Sequence, residues 1–181
     1  MTFPARPSIS QKIKRQASAA GAKTDIDLAL FASLANERTQ FAKFIRESEP
    51  GPLPPSRGLV MYSDFLLQRG RFYQAQSLPK GFRRGRAQQC YDNSFNLTFK
   101  YPELSYCEGF VTYSFGKGET DKAEHAWCVA KDGKVIDVTL PALVTGVAYF
   151  GVVFTPEEFA IGVYALPIIE EIIDQRMLAE L

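Results

Sequence analysis

Hydrophobic positions change their spacing several times along this chain, and each change marks an element. Ile26, Leu30, Leu34, Phe41, Phe44 and Ile45 recur near the helical period and predict a helix over about 25–47, with Thr24 and Asp27 placed to cap its start. Pro50, Pro52, Pro54 and Pro55 then remove backbone donors and end it. A second helix is expected from near Ser63, turning Phe65, Leu66 and Phe72 inward, although Gly70 weakens the pattern. Lys80 to Arg86 reads as loop. Tyr91, Phe95 and Phe99 make a four-residue stripe to bury on a helix over 90–100, which stops before Pro102.

Strand-like runs follow over 106–114, 123–129, 134–138 and 144–154. Thr155-Pro156-Glu157-Glu158 supplies a cap, a first-position proline and first-turn acids for another helix. From Pro167, Ile168, Ile169, Ile172, Ile173, Met177 and Leu178 line one face of a last helix. The sum is an α+β fold: the helix that opens at Cys90 packed on an antiparallel sheet, with further helices at the N- and C-terminal ends. The predicted organisation is an N-terminal arm and helix over 1–48, a proline-rich linker over 49–58 and a main domain over 59–181, or one compact domain overall. Most of residues 1–22 reads as a mobile arm containing one short helix.

Composition narrows the class. The chain is 181 residues long, 46% hydrophobic and 13% aromatic, which suits an ordered globular core rather than a disordered chain. No apolar run reaches the roughly 20 residues of a membrane span, and the N-terminus shows no apolar secretory core, so a cytoplasmic protein without membrane contact is expected. The three cysteines are then expected to be free thiols.

Charge is uneven despite a net +1. Residues 1–90 carry 15 basic and 6 acidic residues; residues 91–181 carry 6 and 14. Arg69, Arg71, Lys80, Arg83, Arg84 and Arg86 form the densest basic run, with no acid among them. Such a run can hold nucleic acid or an acidic protein, or it can neutralise the acidic second half within the fold.

The candidate chemistry lies between Cys90 and Thr139. His125 is the only histidine of the chain, so any imidazole chemistry belongs to it. In its strand, His125 shares a face with Trp127, while Ala126 and Cys128 point the other way. A two-residue Asp132-Gly133 turn would put Asp137 opposite Cys128, on the wrong face. A three-residue loop, Lys131-Asp132-Gly133 with Gly133 left-handed, pairs Ala130 with Lys134 and sets Asp137 opposite Trp127, diagonal to His125. Diagonal neighbours lie roughly 7–8 Å apart at the backbone, within reach of side-chain contact. Cys90, at a helix start and near an imidazole, has both influences that favour a thiolate. His125 can take and return its proton, and Asp137 can fix the ring. The backbone N–H of Cys90 and the side chains of Gln88 and Gln89 are the candidates for an oxyanion donor. Cys107 and Cys128 read as packing residues; a zinc site from Cys90, Cys107, His125 and Cys128 lacks paired short spacings.

A cysteine at a helix start, then EGF, HAWCV and GKVIDVT, resembles the core of the transglutaminase-like cysteine enzymes in the wider papain-like group. The resemblance covers about residues 88–140 and implies a triad of Cys90, His125 and Asp137, a transglutaminase-like catalytic domain over 59–181 and no cofactor. It implies acyl transfer at an amide by a thiol protease, amidase or deamidase acting on a peptide or a small molecule. The chain has no tryptophan shortly before Asp137 and a compact Cys-to-His separation, which point away from transglutamination of large proteins. Nothing marks a site for an acceptor amine, so hydrolysis is the expected outcome. The competing reading is a catalytically inactive binding module that uses the basic 69–86 segment; a third is an assembly protein docking through its helices.

Overall fold

The computed structural model describes residues 9–47, 57–114, 120–141, 145–163 and 166–179. Its elements in chain order are α1 (Ile9–Ala19), α2 (Asp25–Glu47), α3 (Arg57–Arg69), β1 (Arg71–Tyr73), α4 (Cys90–Lys100), β2 (Ser105–Ser114), β3 (Asp121–Val129), β4 (Val135–Ile136), β5 (Thr145–Val153), α5 (Pro156–Ile161) and α6 (Ile168–Ala179). The sheet is antiparallel between neighbours, in the order β1-β5-β2-β3-β4. The α+β class holds.

The two outer strands are short and meet. Past the end of β1, Gln74 forms a parallel bridge with Lys134, just before β4. The Gln74 N–H donates to the Gly133 carbonyl at 3.4 Å, the Val135 N–H to the Gln74 carbonyl at 3.0 Å, and Gln76 Nε2 to the Val135 carbonyl at 2.9 Å. The sheet therefore curls until its two edges touch at this point, which covers part of the edge an open sheet would leave free.

Side chains alternate across the strands, so the curled sheet has two apolar surfaces. One buries Cys107, Val111, Trp127, Val129, Val135 and Tyr149 together. The other carries Tyr106, Phe110, Ala126, Ala148, Phe150 and Val152, which share a core with Leu30, Phe31 and Leu34 of α2, Tyr62, Phe65 and Leu66 of α3, and the isoleucines of α6. Phe31, Phe72 and Phe150 pack ring to ring where α2 crosses β5 and β1, with centroids 5.5 Å apart for Phe31–Phe150 and 4.7 Å for Phe72–Phe150. Glu37 of α2 meets Lys122 of β3 and accepts from Ser63 of α3 at 3.3 Å, tying the three elements.

Local signals place several ends well. Thr24 Oγ1 accepts from the Asp27 N–H, and the Asp27 carboxylate accepts from the Thr24 N–H, a reciprocal cap in which Asp does the work of the longer Glu. Thr155 and Glu158 close the same box on α5.

Other expectations are corrected. The short helix expected in the N-terminal arm is present as α1, but it is not mobile: its Ala17 is fully buried in the core with α2; residues 1–8 lie outside the described ones. Helix α3 opens at Arg57 rather than near Ser63 and takes residues 57–58 of the expected linker, whose residues 49–56 lie outside the described ones. Phe72, expected on that helix, stands in β1, because the chain breaks at Gly70 and pairs with β5. Phe99, expected to be buried, is 62% exposed in the last turn of α4, and among the described residues its ring meets the rings of Phe95 and Phe159. The strand expected over 134–138 is ladder-paired only at Val135–Ile136. No helix among the described residues is long and apolar enough to cross a membrane.

Gly109 of β2 pairs with both His125 and Gly151. A Cβ at Gly109 would lie 2.2 Å from the Phe150 carbonyl oxygen and 2.5 Å from the Gly151 Cα, both backbone atoms that cannot swing away. Gly109→Ala is expected to cost about 3 kcal/mol, because two central strands must separate. Urea unfolding of the two proteins measures it, and a loss under about 1 kcal/mol would mean that the strands part cheaply.

Candidate active site

Cys90 is the first residue of α4 and is only 9% exposed. The approach to it is unusual. Gln88 has φ 61°, the one non-glycine residue in the left-handed region among the described residues. Gln89 follows at the N-cap position without a side-chain cap, so its side chain does not occupy the first amides of α4. The turn is held from below by Asn93. Its Oδ1 accepts from the Arg86 N–H at 3.2 Å, and its Nδ2 donates to the Arg86 carbonyl at 2.7 Å and to Thr139 Oγ1 at 2.9 Å. One side chain thus ties the loop before Cys90 to the segment after Asp137. Gly85 leaves room for it, since a Cβ there would fall 2.4 Å from the Asn93 side chain.

His125 and Asp137 come together through the hairpin register. Gly133 has φ 80°, its N–H donates to the Ala130 carbonyl, and the Ala130 N–H donates to the Lys134 carbonyl, both at 2.9 Å. This is the bulged three-residue turn, and it gives the pairs Val129–Val135 and Cys128–Ile136. One step further, Asp137 falls opposite Trp127 and reaches diagonally: His125 Nε2 lies 2.8 Å from Asp137 Oδ2. Both side chains are under 10% exposed. The imidazole stacks on Trp127, with centroids 6.2 Å apart and planes 20° apart.

Asp137 is fully engaged. Oδ1 accepts from the N–H groups of Thr139 at 2.8 Å and Leu140 at 2.9 Å, and Oδ2 accepts from the Tyr149 hydroxyl at 2.8 Å as well as facing His125. Burial pushes this carboxyl up, but the hydrogen bond and charge of His125 and the two N–H donors outweigh it and hold the group below its ordinary value. An anchored carboxylate fixes both the position and the tautomer of the ring.

With Nε2 committed to Asp137, Nδ1 is the ring nitrogen left for the thiol. Burial lowers the affinity of His125 for a proton, yet Asp137 and Cys90 together raise it to about 9. Burial raises the Cys90 thiol, yet the interaction with His125, followed by the N–H groups of Ala126 and Tyr91, brings it below its ordinary value. The two groups favour a thiolate beside an imidazolium. Cys107 and Cys128 go the other way. Burial drives Cys107 well up, and burial with the charge of Asp137 raises Cys128 to about 12. Both are free and fully buried. Among the described residues no three His, Cys, Asp or Glu side chains converge as metal ligands.

The side chains of Gln88 and Gln89 are exposed beside Cys90, so both remain on the site's rim with the Cys90 N–H as oxyanion candidates. The basic run divides. Arg69 is withdrawn into the fold: it forms a two-pronged pair with Glu158 at 2.6 and 2.9 Å and lies over the Phe65 ring. That partner is 89 residues away, out of reach of sequence reading. Arg71, Lys80, Arg83, Arg84 and Arg86 stay exposed. Tyr149 and Asn93 were not anticipated. A tyrosine within an apolar strand needs a hydroxyl partner, which was the one signal for the first; nothing local marks the second. No protein-family model, curated protein or solved structure matches this chain.

Proposed function

We propose that this protein is a cysteine-dependent acyl-transfer enzyme acting on an amide, with a papain-like, transglutaminase-like core around Cys90, His125 and Asp137. The observation that carries the reading is the buried chain of contacts from a helix-start thiol, through one imidazole, to a carboxylate anchored by three other donors. A structural histidine needs no such support on one nitrogen while the other faces a thiol. In the reaction the Cys90 thiolate attacks the carbonyl carbon, and the C–N bond breaks as imidazolium Nδ1–H protonates the leaving nitrogen. The resulting thioester is resolved by water, whose proton returns to His125. Hydrolysis, as by a peptidase, amidase or deamidase, is the favoured outcome. The Cys90 N–H with Gln88 or Gln89 would face the oxyanion. An inactive binding module remains the second reading, supported by the five exposed cations of the 71–86 segment; it predicts binding that survives Cys90→Ala.

The test is iodoacetamide labelling across pH, with the adduct located by mass spectrometry, beside hydrolysis of a peptide-amide library. Cys90 is expected to react far ahead of Cys107 and Cys128, beginning below the ordinary thiol range. Alkylation needs only the thiolate and stays high in alkali. Amide cleavage also needs the imidazolium and falls as pH rises through about 9, where His125 loses its proton. Equal labelling of all three cysteines would refute the assignment.

A further inference from the structure

The loop that delivers Cys90 is also the most basic exposed stretch beside the site. Between Pro79 and Asn93 the chain carries Lys80, Arg83, Arg84 and Arg86 against the single acid Asp92. All four cations are exposed, and none makes an ion pair among the described residues. The loop is nevertheless built in place. Phe82 packs on Tyr101 with centroids 4.9 Å apart, Arg84 Nη1 lies 3.5 Å from the Asp137 carbonyl oxygen, and the Gly85 N–H donates to the Val138 carbonyl at 2.8 Å. Arg86 is clamped at both backbone groups by Asn93, three residues into the helix that Cys90 opens. The fold thus fixes the backbone of this loop at Gly85 and Arg86, and the guanidinium of Arg84, against the two segments that carry the nucleophile and the carboxylate. A loop anchored in this way keeps several cations close to Cys90, and clustered charge of one sign raises the local concentration of the opposite sign.

We infer that Arg83, Arg84 and Arg86 form a specificity loop that selects acidic peptide substrates, with carboxylates next to the amide that Cys90 attacks. This rests on the acyl-transfer reading of the same site. Guanidinium forks match carboxylates in geometry as well as in charge. A single-stranded nucleic acid would want stacking surfaces among the cations. Here Phe82 is turned onto Tyr101, and the one large aromatic exposed among the described residues is Phe99, nine residues along α4 from Cys90 and about 13 Å away at the helical rise.

The probes are two chloroacetyl peptides of equal length, one flanked by glutamates and one by glutamines, and the readout is the ratio of their rates of adduct formation at Cys90. The glutamate peptide is expected to react about tenfold faster at low salt, with the ratio falling toward one at high salt. The triple substitution Arg83→Gln, Arg84→Gln, Arg86→Gln should bring the ratio near one, and the corresponding lysine triple should restore most of it. Because the imidazolium is present in every variant, its own attraction for anions cancels from the comparison. Selective labelling of Cys90 with no difference between the peptides would overturn the specificity loop and leave the acyl-transfer reading standing. Loss of selectivity for Cys90 over Cys107 and Cys128 would overturn both. Equal peptide rates, together with an oligonucleotide that shields Cys90 in the wild type and not in the glutamine triple, would make the loop a nucleic-acid surface instead.

Discussion

His125→Ala is expected to slow alkylation of Cys90 by roughly two orders of magnitude near pH 6. The thiol is 9% exposed, and burial alone would push it above its ordinary value; His125 is the first of the influences that pull it down. Without the ring, burial is left to push the thiol up and the thiolate fraction near pH 6 falls; losing a positioned acid–base partner typically costs about 100-fold or more. Raising the pH should recover most of the lost rate, which separates a protonation effect from a collapsed site. Asp137→Asn should give a milder version, because the ring stays but its anchor no longer carries charge. If His125→Ala labels at the wild-type rate near pH 6, the thiol is not activated by the imidazole and the proposed mechanism fails with it.

The second large effect is on stability and sits far from Cys90. Glu108 is fully buried on β2, where its two carboxylate oxygens accept from the first two N–H groups of α6, Ile168 at 2.8 Å and Ile169 at 2.9 Å, and from the Tyr106 hydroxyl at 2.7 Å. A strand carboxylate therefore does for α6 what a cap residue does locally. Glu108→Ala leaves two helix amides and a phenol buried without an acceptor, and is expected to cost about 3–5 kcal/mol, read from urea unfolding.

Burial raises this carboxyl from 4.5 to about 7 against the pull of its three donors, and the charge of Glu170 adds to the rise. Between those two pH values the folded state holds a proton that the unfolded chain has released. Stability from this group is therefore greatest below about 4.5 and falls as pH rises through 7, by up to ~3 kcal/mol. Glu124, also raised by burial, contributes in the same direction, while the loss tied to His125 comes later, as pH rises through about 9. Glu108→Gln should flatten the part of the profile between about 4.5 and 7 relative to the wild type. An unchanged slope would mean that Glu108 does not titrate in that window.

These two sites differ in how much of them could be read from the amino acids. The His125–Asp137 pair is legible because everything that joins them lies within thirteen residues: a strand alternation, a Gly133 turn, and a register that only the bulged loop satisfies. The caps at Thr24 and Thr155 are legible for the same reason. Glu108, by contrast, looks like any strand acid until α6 arrives from 60 residues away. Strand β1 is three residues long and exists only because β5 pairs with it, so no periodicity could announce it. Arg69 reads as free charge until Glu158 is beside it. Tyr149 sits in a plain β-sheet alternation that says it is inside, but not that its hydroxyl steadies a carboxylate. Local chemistry is written locally, whereas contacts made by long-range folding are not.

The bonds that close the curled sheet, between Gln74 and the strand start at Gly133–Val135, lie immediately before Asp137 in the chain. The seam thus closes two residues before the carboxylate that faces His125. A brief parting there would loosen the approach to Asp137, leaving its own partners to hold it, while the helices over the opposite surface stay packed, because no residue of that core belongs to the seam. For the proposed chemistry, being folded and being competent are then separate properties. A sample can pass every bulk measure of integrity and still contain silent molecules, and the three hydrogen bonds at the sheet's two shortest strands are one place where the two properties part.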